Sequence, residues 1–337
     1  MSTDKKLTHL TRRDFLKTAG VTSAAAALTG CLNPDAFSKA LNAGSDRPLN
    51  LLFIMTDQQR FDALSHAGNS ILQTPNLDRL AREGVFFQNA YTVCPVCAPA
   101  RSSILTGHDI FATGVPTNNE ATEKDNMYLP TFDNVLADAG YWTGYIGKWH
   151  STENPDRRPY DLFSGLGMEV QTQRKNMGKP RKLVDGEQYD ITMSGLPYRM
   201  DPLDKRYGWA PGEKRLDENG KPVMIIQPDN HGCLDIPASQ SITAIQAKET
   251  IAALKQIGDK PFSLTCSIHF PHSPMLPTEP YYSMYPPKEM PLPASIDDPM
   301  TNSPYEWNWG RGDERYRSDD IRYMISKYYG LVKEIDD

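Results

Sequence analysis

Short apolar runs alternate along this chain with stretches whose apolar residues recur every three or four positions. Residues 49–55 (Leu-Asn-Leu-Leu-Phe-Ile-Met) form a run of the kind a buried parallel strand shows, and it ends at Thr56-Asp57-Gln58. Thr74-Pro75 then opens a helix, because Thr is a capping residue and Pro suits a first turn; Leu77, Leu80 and Ala81 share one face and Gly84 closes it. Residues 85–91 read as a returning strand. In a second unit Leu129, Phe132, Val135, Leu136 and Ala139 have helical spacing, Gly140 ends the helix, and a strand over 141–146 leads to Gly147-Lys148-Trp149-His150. The third unit places Ala244, Ala247, Ile251 and Leu254 on a helix over 241–257, closed by Gly258. Its strand over 261–268 ends at His269-Phe270-Pro271-His272. This alternation predicts an α/β fold with a largely parallel sheet sandwiched by helices and ligands beyond the carboxyl ends of the strands. Asp57, the Lys148/His150 pair and the His269/His272 pair all fall at such ends. Residues 151–239 and 281–319 lack clean periodicity and read as loops over the site that set substrate choice, or as poorly ordered insertions.

Composition narrows the class. With 36 basic and 42 acidic residues the net charge is −6, which argues against a nucleic-acid partner. Five cysteines do not make a disulfide framework in a chain of 337 residues, and 27 Pro with 23 Gly imply much loop. Thr11-Arg12-Arg13-Asp14-Phe15-Leu16-Lys17 resembles a twin-arginine export signal, and the apolar run over 19–28 is too short to span a bilayer. Leu28-Thr29-Gly30-Cys31 resembles a lipoprotein cleavage box, with Cys31 as the lipidated residue; cleavage nearby by ordinary signal peptidase is the alternative. The chain therefore divides into an export signal (1–31), a polar linker (32–48) and one domain (49–337). The twin-arginine translocon becomes a partner, and export across the bacterial inner membrane, with a lipid anchor as the membrane contact, is the expected localisation.

The chemistry concentrates in Cys97-Ala98-Pro99-Ala100-Arg101-Ser102-Ser103-Ile104-Leu105-Thr106-Gly107. Pro99 bars Ala98 from helical geometry, which puts Cys97 on an extended segment before a helix starting near Ala100. A nucleophile candidate beside a helix N-terminus and Arg101 suits an anionic substrate. Taken alone, Cys94-Pro95-Val96-Cys97 is also compatible with a redox pair, half a zinc site or a disulfide.

Cys-x-Pro-x-Arg followed by Leu-Thr-Gly resembles the signature of the formylglycine-dependent sulfatases, of the alkaline-phosphatase-like superfamily. Ala100 stands where that family often has serine. The resemblance, running from 49 to 337, implies that Cys97 is oxidised to formylglycine by a separate maturation enzyme and that its hydrate is the nucleophile. It also implies a divalent cation, usually calcium, at Asp57, Gln58 and the modified Cys97, although Gln58 replaces an acidic residue of the family pattern. Lys148 and His150 would contact the formylglycine and the sulfate. His272 would bind the sulfate and serve the leaving oxygen, and Arg101 with Lys148 would balance charge on the sulfuryl group. The expected activity is hydrolysis of sulfate esters of a small molecule or glycan. The alternatives are a phosphonate monoester or phosphodiester hydrolase and a catalytically silent lipoprotein that binds sulfated glycans. The last residues resemble the middle of a sulfatase, so the chain is expected to be truncated at its C-terminus and inactive alone.

Overall fold

The computed structural model describes residues 48–118, 129–151, 160–164, 232–296 and 318–337, with the backbone of three short strands between 181 and 200. Arg12, Arg13, Cys31, most of 151–239 and most of 297–319 lie outside the described residues. Among the described residues the main sheet has four parallel strands in the order β1-β8-β2-β3: β1 is Leu51–Thr56, β2 Trp142–Gly147, β3 Leu162–Ser164 and β8 Phe262–Ile268. Two small antiparallel pairs join β4 (Arg181–Lys182) to β5 (Gln188–Tyr189) and β6 (Tyr198–Met200) to β7 (Gly232–Leu234). The described helices of at least four residues are α1 (Pro75–Glu83), α2 (Cys97–Thr106), α3 (Ile110–Thr113), α4 (Phe132–Asp138), α5 (Ile242–Ile257), α6 (Tyr281–Met284) and α7 (Ser318–Asp336).

β8 is central because it pairs on both sides, and all its residues but the first are buried. Strand alternation sends Leu264 and Ile146 to one face, where Ile245, Ala253 and Ile257 of α5 cover them. Tyr145 points to the other face and packs with Trp149 and with Leu105 of α2. The α5 N-terminus is fixed by Ser241, whose hydroxyl accepts the Ala244 N–H at 3.1 Å, a cap worth about 1 kcal/mol. β2 and β8 approach closely at Gly147, which lies at φ +106° with Ser267 O only 2.0 Å from where a Cβ would stand.

Three expectations change here. β1 forms where the apolar run predicts it, but it is an edge strand among the described residues, and Leu51, Leu52 and Ile54 are 37%, 40% and 54% exposed. Helix α1 starts and stops where predicted, but the Thr74 hydroxyl meets Ser65 and Asp78 and makes no capping bond, and none of the helix residues is buried. Leu77 and Leu80 of α1, Leu52 and Ile54 of β1, and Ile251 and Leu254 of α5 instead line an apolar groove of about 760 Å³. Residues 85–91 form no strand, because no described strand lies alongside to complete a ladder; Val85, Phe87 and Tyr91 stay exposed.

Candidate active site

Helix α2 begins at Cys97 itself, with Val96 as its extended N-cap. The expectation of an extended Cys97 is therefore corrected. Pro99 falls within the first turn, where its missing N–H has no helical partner to lose. The Ala98 N–H donates instead to Asn118 Oδ1 at 3.0 Å, so a residue 20 positions away caps the turn that carries the cysteine. The Cys97 thiol donates to Asp57 Oδ1 at 3.5 Å, and Lys148 Nζ donates to Cys97 Sγ at 3.8 Å. Burial raises the Cys97 thiol above its ordinary pKa; the Asp57 carboxylate adds to this and Lys148 opposes it. A thiol held protonated is a poor nucleophile in its own right. Cys94 and Cys97 are both free, which removes the disulfide reading from this structure.

Three charges meet at the carboxyl ends of β1 and β2. Asp57 Oδ2 accepts from Arg101 Nη2 at 2.8 Å and Nε at 3.3 Å, and Lys148 Nζ lies 2.8 Å from the same oxygen. All three side chains are buried. Burial alone would raise the Asp57 carboxyl pKa, but Lys148 and Arg101 overcome it and hold the group well below the carboxylate range. Burial likewise pulls the Lys148 ammonium down, against the attraction of Asp57. Arg101 Nη1 donates to the Lys148 carbonyl and to Ser267 Oγ, both at 2.7 Å. Tyr145 Oη and Ser267 Oγ also donate to that carbonyl at 2.7 Å. Four of the five Arg101 N–H groups are thus committed within the protein. Tyr145 and Ser267 hold the Arg101–Lys148 pair, and neither stands out in sequence; Ser267 is signalled only by its register partner Gly147.

The predicted histidines converge on the same place. One donor atom each from Asp57, Cys97 and His272 lies within 4.8 Å of the others. His150 does not continue an extended chain from Lys148: it adopts φ +42°, and its Nδ1 is buried without a partner. Burial, then Lys148 and Arg101, lower its pKa to about 4; His269, also buried, is lowered to about 3 by burial, Lys148 and His272. Both rings are neutral at physiological pH. Gln58 has a left-handed backbone (φ +61°) and is exposed, and its carbonyl accepts the Tyr328 hydroxyl at 2.8 Å. Among the described His, Cys and acidic side chains, the cluster of candidate donors is Asp57, Cys97 and His272, which adds His272 to the predicted set. Asp57 Oδ1, free of the two cations that share Oδ2, gives this set one hard anionic oxygen, which fits one corner of a divalent-cation shell.

The sulfatase family model matches residues 49–337, which include this cluster. The chain belongs to the sulfatase family. A twin-arginine translocation signal model matches residues 9–29, in keeping with export across the inner membrane. Among curated relatives, the chain is 28% identical over 316 residues to the multifunctional alkaline phosphatase superfamily protein PehA of Trinickia caryophylli, covering 86% of this chain and 57% of the relative. It is 28% identical over 309 residues to an arylsulfatase of Clostridium perfringens, covering 85% and 57%. The fold is shared with the phosphonate monoester hydrolase of Agrobacterium radiobacter, at TM-score 0.58 and 22% identity, over 85% of this chain and 57% of that one. The chain thus spans somewhat over half the length of these relatives. Among the described residues no helix is long and apolar enough to cross a membrane.

Proposed function

We propose that this sulfatase-family chain serves hydrolysis of sulfate esters through formylglycine derived from Cys97. The observation that carries the reading is the placement of Cys97 at the first turn of α2, against a buried Asp57–Lys148–Arg101 cluster. A thiol whose pKa is raised gains little from that setting unmodified, whereas formylglycine supplies a hydrated aldehyde with one hydroxyl to attack sulfur and a second to eject sulfate. Lys148 is the cation left to face a sulfuryl oxygen, since Asp57 and Cys97 account for two of its three donors. Arg101 acts behind it by fixing Asp57. His150, neutral and with a free buried nitrogen, suits a hydrogen bond to the nucleophile or the sulfate. His272 suits the leaving-group side. A divalent cation, calcium by family resemblance, would be held by Asp57 Oδ1 with Cys97 and His272, with Gln58 Oε1 as a further ligand, and would neutralise charge on the nucleophile and substrate.

In the same reading residues 1–31 are the export signal, 32–48 the linker and 49–337 the sulfatase domain. Cys31 carries the lipid, a maturation enzyme modifies Cys97 before export, and a sulfated small molecule or glycan is the substrate. The test is coexpression with a formylglycine-generating enzyme, followed by mass analysis of the Cys97 peptide and assay of paired sulfate and phosphonate esters of one alcohol. The aldehyde with preferential sulfate release supports the reading. Preferential phosphonate cleavage favours the related hydrolase, for which Gln58 beside Asp57 is the motivating feature, and an unmodified thiol overturns the mechanism.

A further inference from the structure

His269 and His272 converge on one acceptor. His269 Nε2 lies 3.3 Å and His272 Nδ1 2.6 Å from the carbonyl oxygen of Ser273, and the rings are 5.0 Å apart at 49°. A carbonyl oxygen only accepts, and its two lone pairs serve two donors, so both of these nitrogens carry hydrogen. Among the described residues no other group donates to that oxygen. The His272 N–H in turn donates to the His269 carbonyl at 3.3 Å, so His269 grips the turn at both ends. His269 is only 5% exposed, and its other nitrogen, Nδ1, has no partner. An N–H there would be buried and unsatisfied, whereas a lone pair is the cheaper state. His269 is thereby fixed with its proton on Nε2, aimed at Ser273.

We infer that His269 is a positioning residue that pins the Ser273 carbonyl under the His272 ring, which holds the His272 proton on Nδ1, leaves Nε2 as the lone-pair nitrogen, and fixes a ring that lies at the Cys97–Asp57 cluster. The inference rests on the reading of that cluster as the site of ester hydrolysis. The physical logic is that of a ligand or base whose second nitrogen is oriented by a neighbour. Without His269 the carbonyl keeps one donor and loses the one that fixes its direction. The His272 ring can then turn or change tautomer.

Ring nitrogen spectra of the full chain labelled with 15N-histidine test this, beside hydrolysis of an aryl sulfate by the matured protein. The wild type should show His272 protonated at Nδ1 alone. His269→Phe, which keeps a planar ring and removes the donor, should show both tautomers and a ~10–100-fold lower kcat/KM. His269→Gln, which returns an N–H near the Nε2 position, should restore the single tautomer and most of the activity. A His272 proton on Nε2 in the wild type, or one unchanged Nδ1–H tautomer in His269→Phe, overturns the inference. Should His269→Phe fail to fold, the wild-type spectrum and His269→Gln decide it. Absence of hydrolysis by the wild type counts against the sulfatase reading alone, because the tautomer spectra still report on His269.

Discussion

Arg101 meets Asp57 through two nitrogens on a single oxygen, Nη2 at 2.8 Å and Nε at 3.3 Å from Oδ2, and so leaves Oδ1 turned toward Cys97. One carboxylate thus serves two purposes: it compensates two buried cations and keeps a free anionic oxygen beside the cysteine.

Removing that charge should be costly. Asp57→Asn leaves Arg101 and Lys148 buried without an anion, and the expected loss is about 3–5 kcal/mol, measured by urea unfolding at neutral pH. Because the folded carboxyl pKa lies below the ordinary value of 3.8, the unfolded chain binds the proton first as pH falls. The stability from Asp57 is therefore complete above that value and lost below it. The wild type should lose stability from pH 5 to pH 3 more steeply than Asp57→Asn; equal slopes would remove the assignment.

Lys148→Met keeps the Arg101–Asp57 pair and the apolar stem while deleting the ammonium. Sulfate-ester kcat should fall by about 10²–10³-fold, the loss typical of a donor aimed at developing charge. Arg101→Lys should act differently, since a single ammonium cannot reach Asp57, Ser267 and the Lys148 carbonyl together. Its main effect should be a lower unfolding midpoint. The two variants are compared by steady-state kinetics and calorimetry on the same preparations.

Gly147→Ala should damage the centre of the sheet. The added methyl would stand 2.0 Å from Ser267 O, at a φ of +106° that L-residues rarely adopt. A thermal midpoint lower by several degrees, or loss of soluble protein, is expected. An unchanged midpoint would show that β2 and β8 do not approach this closely.

Glu334 offers a pH test away from the chemistry. It is buried on α7, neither carboxylate oxygen has a hydrogen bond of good geometry, and burial raises its pKa from 4.5 to about 7, with Ser241 and the Thr278 backbone opposing. The folded state therefore holds a proton that the unfolded chain releases, and this contribution to stability falls as pH rises from about 4.5 to about 7. Glu334→Gln should be more stable than wild type at pH 8 and close to it at pH 4. Urea midpoints at the two values check the sign.

The sequence by itself determined that helices lie near 75–83, 132–138 and 242–257, that strands lie near 51–56, 142–147 and 262–268, and that Asp57, Lys148, His150 and His272 follow strand ends, though not that α2 starts at Cys97. Those features are local: caps, glycine stops and apolar spacing act within a turn or two of chain. The Cys-x-Pro-x-Arg pattern was equally legible, because its residues lie within five positions. Only the tertiary structure decided that β1 is an edge strand among the described residues, that 85–91 stays unpaired, and that the apolar face of α1 lines a groove, since strand pairing and burial depend on distant partners. It also decided how the charges divide. Arg101 is turned inward by Ser267, Tyr145 and the Lys148 carbonyl, from segments 44 to 166 residues away, and His272 joins Asp57 and Cys97 from the segment after β8. Residue identity fixes which donors and charges a chain possesses; which of them remain free for a substrate depends on the neighbours that folding brings within 3 Å.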